Sequence, residues 1–463
     1  MSEKTLLLQD ADFLVRDYST IDKKASVIIK GKLIAGVGKS DALKKDHIID
    51  ETINMNGKVL MPGLINCHTH TAETMYRGRG HDFEFPDWMN YLVYPVNQVM
   101  EEEEEDLFYY LAQLSAMEAI ASGTTAFIDN SVNFTKRHVI SVARAMEDMG
   151  FRGAVSKDAV DSSPMDRGFT GSLEEELKAE EEFLKVWQAE KSELVQAWVG
   201  PNGTSKKPNG GATDELLVKL KELANKYDSR LHIHLAGTHW EIENVRKQTG
   251  FVGSIAMAHD LEILDEKTSL AHCIWLDDSE IDILAETGAQ PVHCPSCNQI
   301  CAIGVMPLVK MISKGVESAL GTDGAPQNDS LDMIRDMRQT ILLQRITHMD
   351  ADVVSHKYAF KMATENGAKV LGIENLGKIQ PGFLADLTAV QVKGNPFLSP
   401  LYEPLETIIY AGSGGRDVAM TMVNGKVLYM DNVFRTVDRD KVLSVIEEAG
   451  KRINKKILKN YNL

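Results

Sequence analysis

The 463-residue sequence holds few cysteines: five, an odd number at low density. Such usage supplies no disulfide framework and suits reduced thiols in a cytoplasm. No run of about 20 apolar residues is present, so no helix is expected to span a bilayer. The start, Met1-Ser2-Glu3-Lys4-Thr5, leads into a short mixed segment without a signal-peptide apolar core. Positive charge is short as well: 50 Lys and Arg stand against 67 Asp and Glu, a net charge of −17. That balance argues against nucleic acid as a partner and against docking on anionic membranes. No Gly-x-Gly-x-x-Gly opens a helix, which counts against a doubly wound nucleotide-binding sheet. Low-complexity linkers are missing too.

What is there is a core-forming apolar fraction of 43% and a change of pattern along the chain. Residues 1–60 read as short strands separated by turns at Gly31 and Gly57-Lys58, a small antiparallel sheet. From residue 62 strands and amphipathic stretches alternate. Candidate strands are 64–67, 125–128, 153–156, 195–199, 231–234, 269–272, 291–293 and 318–321. The helical stretches are 104–122, 135–149, 172–190, 213–227, 241–260, 278–287, 305–314 and 330–346. The Glu101–Glu105 run reads as a solvated first helical turn. Eight alternations predict an α/β fold, a (β/α)8 TIM-like barrel. After Gly377 strand patterns return at 387–392, 418–423 and 426–429, with Asn424-Gly425 as a hairpin turn. The expected division is a small β-sandwich built from both chain termini (1–60 and 377–436), a barrel (61–376) and a closing helix (437–463).

The organising stretch is Pro62-Gly63-Leu64-Ile65-Asn66-Cys67-His68-Thr69-His70. On a strand, side chains spaced i, i+2 share a face, so His68 and His70 point together and can hold a divalent metal. Alone, such a pair reads first as surface or core hydrogen bonding. The other strand ends supply company: His232-Ile233-His234, His272, His293, and Thr322-Asp323-Gly324 after the last strand. In a barrel these ends converge on one mouth.

These motifs, with His-Leu-Ala at 234–236, Ala-His-Cys at 271–273, Leu-Gly-Thr-Asp-Gly at 320–324 and Gly377-Lys378-Ile379 onward, resemble the amidohydrolase superfamily. The similarity lies nearest the triazine hydrolase, guanine deaminase and methylthioadenosine/S-adenosylhomocysteine deaminase branch and covers nearly the whole chain. It implies one metal held by His68, His70, His234 and Asp323, with His272 bonding the activated water or ligating directly. Imidazole and carboxylate donors suit zinc first, with ferrous iron as the alternative. A bound metal can bring the pKa of water down to about 7. Asp323 would then move the water proton to the leaving group, and His272 would orient or polarise the reacting centre. The resemblance also implies a homo-oligomer, most simply a dimer.

Several positions depart from the branch. Its deaminases carry His-x-x-Glu after the fifth barrel strand, the acid that protonates a ring nitrogen; here the run is His234-Leu235-Ala236-Gly237. His272, His239 and Glu241 are the candidate substitutes. A ribose-binding glutamate is replaced by Asn97, and a histidine after Gly200-Pro201 by Asn202, which counts against a nucleoside substrate of that kind. The loop Val292-His293-Cys294-Pro295-Ser296-Cys297-Asn298-Gln299-Ile300-Cys301 reads as pocket wall, with redox or second-metal use of Cys-x-x-Cys as the rival reading. Glu73, Asn97, Asn202, His239, His293, Cys294 and Asn298 are thus the expected substrate contacts. The expected function is hydrolysis at an electron-poor carbon of a small nitrogen heterocycle, releasing ammonia or an amine. One rival is the same chemistry displacing halide or thiolate, or opening a cyclic amide. The other is a non-catalytic binding or assembly protein of the same fold.

Overall fold

The computed structural model describes residues 4–103, 106–131, 136–163 and 170–461. The expected elements that touch residues 1–3, Glu104, Glu105, Thr135 and 462–463 lie outside that set at those positions. Five strands come first: β1 (Thr5–Val15), β2 (Ile21–Lys30), β3 (Leu33–Gly38), β4 (Glu51–Asn54) and β5 (Lys58–Pro62). Then follow β6 (Leu64–Thr69), β7 (Thr124–Ser131), β8 (Arg152–Lys157), β9 (Val195–Trp198), β10 (Leu231–Leu235), β11 (Thr268–His272), β12 (Gln290–His293) and β13 (Ala319–Leu320). The last four are β14 (Leu387–Gln391), β15 (Val418–Val423), β16 (Lys426–Met430) and β17 (Val433–Phe434).

The middle strands form two parallel four-stranded sheets, β6-β7-β8-β9 and β10-β11-β12-β13. Most are buried along their whole length, as parallel strands covered on both faces are, even where polar residues such as His232 and His234 alternate with apolar ones. A parallel bridge between Val199 and Leu231 joins β9 to β10. At the other seam Asp323 N–H donates to His68 O at 2.9 Å. Gly321 permits that approach, since a Cβ there would stand 2.8 Å from His68 Cβ.

Both chain ends build one continuous sheet, ordered β17-β16-β15-β14-β5-β1-β2-β3, with β4 beside β1. The ends meet where β14 pairs antiparallel with β5. The sheet is mixed rather than antiparallel, because β1 runs parallel to both β4 and β5. The helix Ser40–Asp46 is the crossover that turns the chain round before β4. Leu8, Ile29, Leu60, Leu387 and Met420 share this sheet's own core. A buried ion pair, Arg152 Nε to Asp386 Oδ2 at 2.6 Å, ties it to β8.

Two helical features differ from expectation. The stretch 241–260 is two helices, His239–Thr249 and Ser254–Asp260, because Gly250 takes φ +80° and ends the first. Residues 85–101 are helical throughout, including a wide turn at Met89–Val93 just before Pro95. Proline has no N–H to continue the regular ladder, so the turn widens ahead of it. The closing helix Arg439–Tyr461 is anchored by Arg452 on Glu103 at 2.8 Å. Among the described residues no helix is long and apolar enough to cross a membrane.

Candidate active site

Five groups meet at the C-terminal ends of the parallel strands. His68 and His70 close β6, His234 sits near the end of β10, His272 ends β11, and Asp323 follows β13. Two sets, His68–His70–His234 and His68–His272–Asp323, each bring their donor atoms within 4.8 Å of one another. Asp323 Oδ1 lies 3.3 Å from His68 Nε2 and 3.2 Å from His70 Nε2. His272 Nε2 stands 3.7 Å from Asp323 Oδ2. His272, Asp323 and Ala236 all take positive φ, at 77°, 64° and 53°. Strained backbone of this kind is tolerated where it aims a side chain.

The outer nitrogens fix the rings. His70 Nδ1 bonds Asn130 O at 2.6 Å and His234 Nδ1 bonds Asn202 O at 2.5 Å. A carbonyl only accepts, so Nδ1 carries a proton in both rings and Nε2 is the nitrogen that faces inward. His68 Nδ1 bonds His232 Nε2 at 2.8 Å, and His232 in turn meets Ser269. His272 Nδ1 is held by Asn298 Oδ1 at 3.3 Å. His68 Nε2 is buried and makes no directed hydrogen bond. An orphaned inward nitrogen beside a carboxylate fits a cation.

The electrostatics agree. Burial lowers the pKa of His68 and His234, and takes His272 down to about 4, so these rings are neutral at neutral pH. Burial works against the ionised form of Asp323, but His68, His70 and His272 outweigh it and hold the carboxyl well below its usual range. Burial also opposes charge on His70, yet Glu73 and Asp323 raise it to about 10; the carboxylates favour a positive charge at this centre.

Above the cluster lies a cavity that opens to solvent. Glu73 and Asn202 line it, as the sequence suggested. Burial pushes the Glu73 carboxyl up to about 7. Gly324 leaves room for that side chain, since a Cβ there would fall 2.0 Å from Glu73 Oε2. Gly237 lines the cavity beside His272, and its added Cβ would sit 3.4 Å from His272 Cδ2. Glu241 also lines it, but its two carboxylate oxygens accept from Ala236 N–H and Gly237 N–H, both at 3.1 Å.

Other expected contacts are placed elsewhere. His239 is outside the cavity lining. Thr238 caps the helix, so Thr238 and Glu241 face inward. His239 shares the opposite face with Ile242, Glu243 and Arg246 along an outer groove. His293 is fully buried and not part of the lining, and neither ring nitrogen has a hydrogen-bond partner among the described residues. Cys294 is buried as the residue before the helix Pro295–Ile300, whose own Cys297 reaches the cavity. Asn298 serves His272 instead. Asn97 is buried in the helix Tyr94–Glu101, away from the lining. Sequence reasoning missed Phe85, Trp88, Met89, Lys207, Ile303 and Gln327, all of which line the cavity, whereas Cys301 lies in the loop expected to form the pocket wall.

Fold and site together define a class: α/β enzymes working from a histidine–carboxylate cluster at the C-terminal ends of parallel strands. The chain belongs to the amidohydrolase family, whose model matches residues 59–428. It is 34% identical over 458 residues to a 5'-deoxyadenosine deaminase of Methanosphaera stadtmanae, covering 98% of this chain and 100% of the relative. It is 32% identical over 438 residues to a 5-methylthioadenosine/S-adenosylhomocysteine deaminase of Pyrococcus furiosus, covering 95% and 98%. A solved adenosine deaminase from Xanthomonas campestris with bound zinc has the same fold, with a TM-score of 0.88 at 24% identity over 97% of this chain and 98% of that one.

Proposed function

We propose that this protein is a mononuclear metal-dependent hydrolase that removes an amino group from an electron-poor carbon of a small nitrogen heterocycle. The observation that carries the reading is the inward convergence of His68, His70 and His234 with Asp323 beneath the cavity. The names of the two relatives, both deaminases, support it. His68, His70, His234 and Asp323 would hold one divalent ion, zinc by preference or ferrous iron. When bound, the ion supplies Lewis acidity that makes water a nucleophile near neutral pH.

The rest falls to the chain. Asp323, kept ionised, takes a proton from the attacking water and delivers it to the departing amine as the C–N bond breaks. His272, kept neutral and steadied by Asn298, orients the reacting centre. Phe85, Trp88 and Met89 pack the ring and exclude water. Glu73 replaces the acid missing at Gly237: near pH 7 its carboxyl carries a proton that a ring nitrogen can accept. His239 is too far round its helix for that task, and Glu241 is already engaged by two backbone N–H groups.

The reading extends to the fold and setting. The two parallel sheets close as a (β/α)8 barrel, flanked by the single mixed sheet of the two chain ends, where the sequence suggested a sandwich, and by the helix Arg439–Tyr461. Five free cysteines favour a reducing cytoplasm, and a closed dimer is the simplest assembly. Gly237 favours a second reading, displacement of a halide or thiolate that needs little protonation. Zinc- and iron-loaded protein assayed on aminated, halogenated and thio-substituted heterocycles tests both. Ammonia release supports the first; turnover confined to halide or thiolate release replaces it with the second.

A further inference from the structure

Lys207 lines the cavity although it is 8% exposed, and no carboxylate oxygen among the described residues lies within 4.0 Å of it. Among those residues its Nζ donates to Asn202 Oδ1 alone, at 2.8 Å. An ammonium has three N–H donors, so two remain for whatever enters the cavity. Asn202 acts as a bracket. Its Nδ2 donates to Asp158 Oδ2 at 2.6 Å, and its carbonyl accepts from His234 Nδ1. The lysine is thereby fixed relative to the histidine cluster rather than swinging free.

The carboxylates whose fields reach Lys207 are Asp158, Glu241 and Asp323, and each is engaged elsewhere. Asp158 accepts from Asn130 and Asn202, Glu241 from two backbone N–H groups, and Asp323 lies among the imidazoles. Burial lowers the lysine's pKa, and these three carboxylates counter it. A buried cation with unused donors is costly unless a counter-charge arrives. We propose that Lys207 receives an anionic oxygen of the substrate, so that the preferred substrate is an amino-heterocycle bearing a carboxylate or an ionised ring hydroxyl.

This inference rests on the hydrolytic reading, and the test separates the two. Zinc-loaded protein is assayed for ammonia release on matched amino-heterocycles: carboxylate against carboxamide, and ionised hydroxyl against methoxy. A second arm measures, by calorimetry, binding of the same acidic rings without the amino group. It uses wild type, Lys207→Met and Lys207→Arg, with melting and zinc content checked. The acidic member of a pair should be favoured about 10²-fold in kcat/KM, the scale of a charge-assisted contact. Binding should weaken at least about 10-fold in Lys207→Met and return in part in Lys207→Arg. Equal kcat/KM within every pair, with ammonia released, overturns the inference and leaves hydrolysis standing. Lys207-dependent binding with no ammonia from any compound upholds the anion site and overturns the deaminase reading. Neither turnover nor Lys207-dependent binding overturns both.

Discussion

At the inner end of the cavity, the rings of His70 and His234 each have one nitrogen tied to a backbone carbonyl, and His68 is tied to His232. At the outer end, polar atoms are held in place but left unused. Glu73 Oε2 and Gln327 Oε1 make no directed hydrogen bond, and Lys207 keeps two donors. The inner end is preorganised for an ion and would change little on binding one. The outer end is preorganised for a partner that must bring its own donors and acceptors.

The contrast predicts a gradient of mutational effects. Asp323→Asn removes a proton carrier and a donor at once; turnover should fall by about 10³-fold or more, with metal content falling in parallel. His272→Ala should cost about 10²-fold in kcat with KM little changed, because its role begins at the reacting centre. Steady-state kinetics on metal-loaded variants checks both. A loss confined to KM would place these residues with the outer end.

Glu73→Gln tests the outer end, where the same carboxyl is also the proposed proton donor. The carboxyl must be protonated to donate, so wild-type activity should decline as pH rises through about 7. The variant should lose roughly 10-fold or more at pH 6 and should lack that decline. Gly237→Glu should not improve the native reaction, since the new chain would enter a cavity shaped without it. Gly237→Ala should fold normally, because its Cβ makes ordinary contact at 3.4 Å. A many-fold gain in Gly237→Glu on the native substrate would show that the outer end lacks an acid it needs.

The smallest effect is on stability. Burial takes His293 down to about 3, against a usual value of 6.5. Between those values the unfolded chain binds a proton that the native chain does not, so stability falls as pH falls through this window. The slope is about 1.4 kcal/mol per pH unit from this group. His293→Leu should flatten that limb in thermal melts from pH 7 to 5 while leaving the melt at pH 8 nearly unchanged.

The inner end was legible in the sequence for a simple reason. Alternation on a strand puts His68 and His70 on one side, and strand ends are where apolar runs stop, so His234, His272 and Asp323 could be placed without knowing any loop. The outer end is built by segments whose course is set by contacts distant in sequence. Lys207 follows no periodic pattern; only the bracket through Asn202 brings it inward. The helical stretch 85–101 carries two prolines, Pro86 and Pro95, which discourage a helical reading although both lie where a first turn tolerates them. His239 failed for a geometric reason: with Thr238 as cap, the first-turn residue points along the outer face of its helix. The mixed character of the terminal sheet likewise depends on a crossover helix, not on any strand's own pattern.

The central claim is that a cation at the inner end is required for turnover. The most direct measurement is elemental analysis of the purified protein, paired with ammonia-release assays before chelation, after it, and after re-addition of zinc or ferrous iron. The account predicts close to one zinc or iron per chain, loss of activity with the metal, and recovery on its return. A metal-free protein that releases ammonia at the full rate would contradict it.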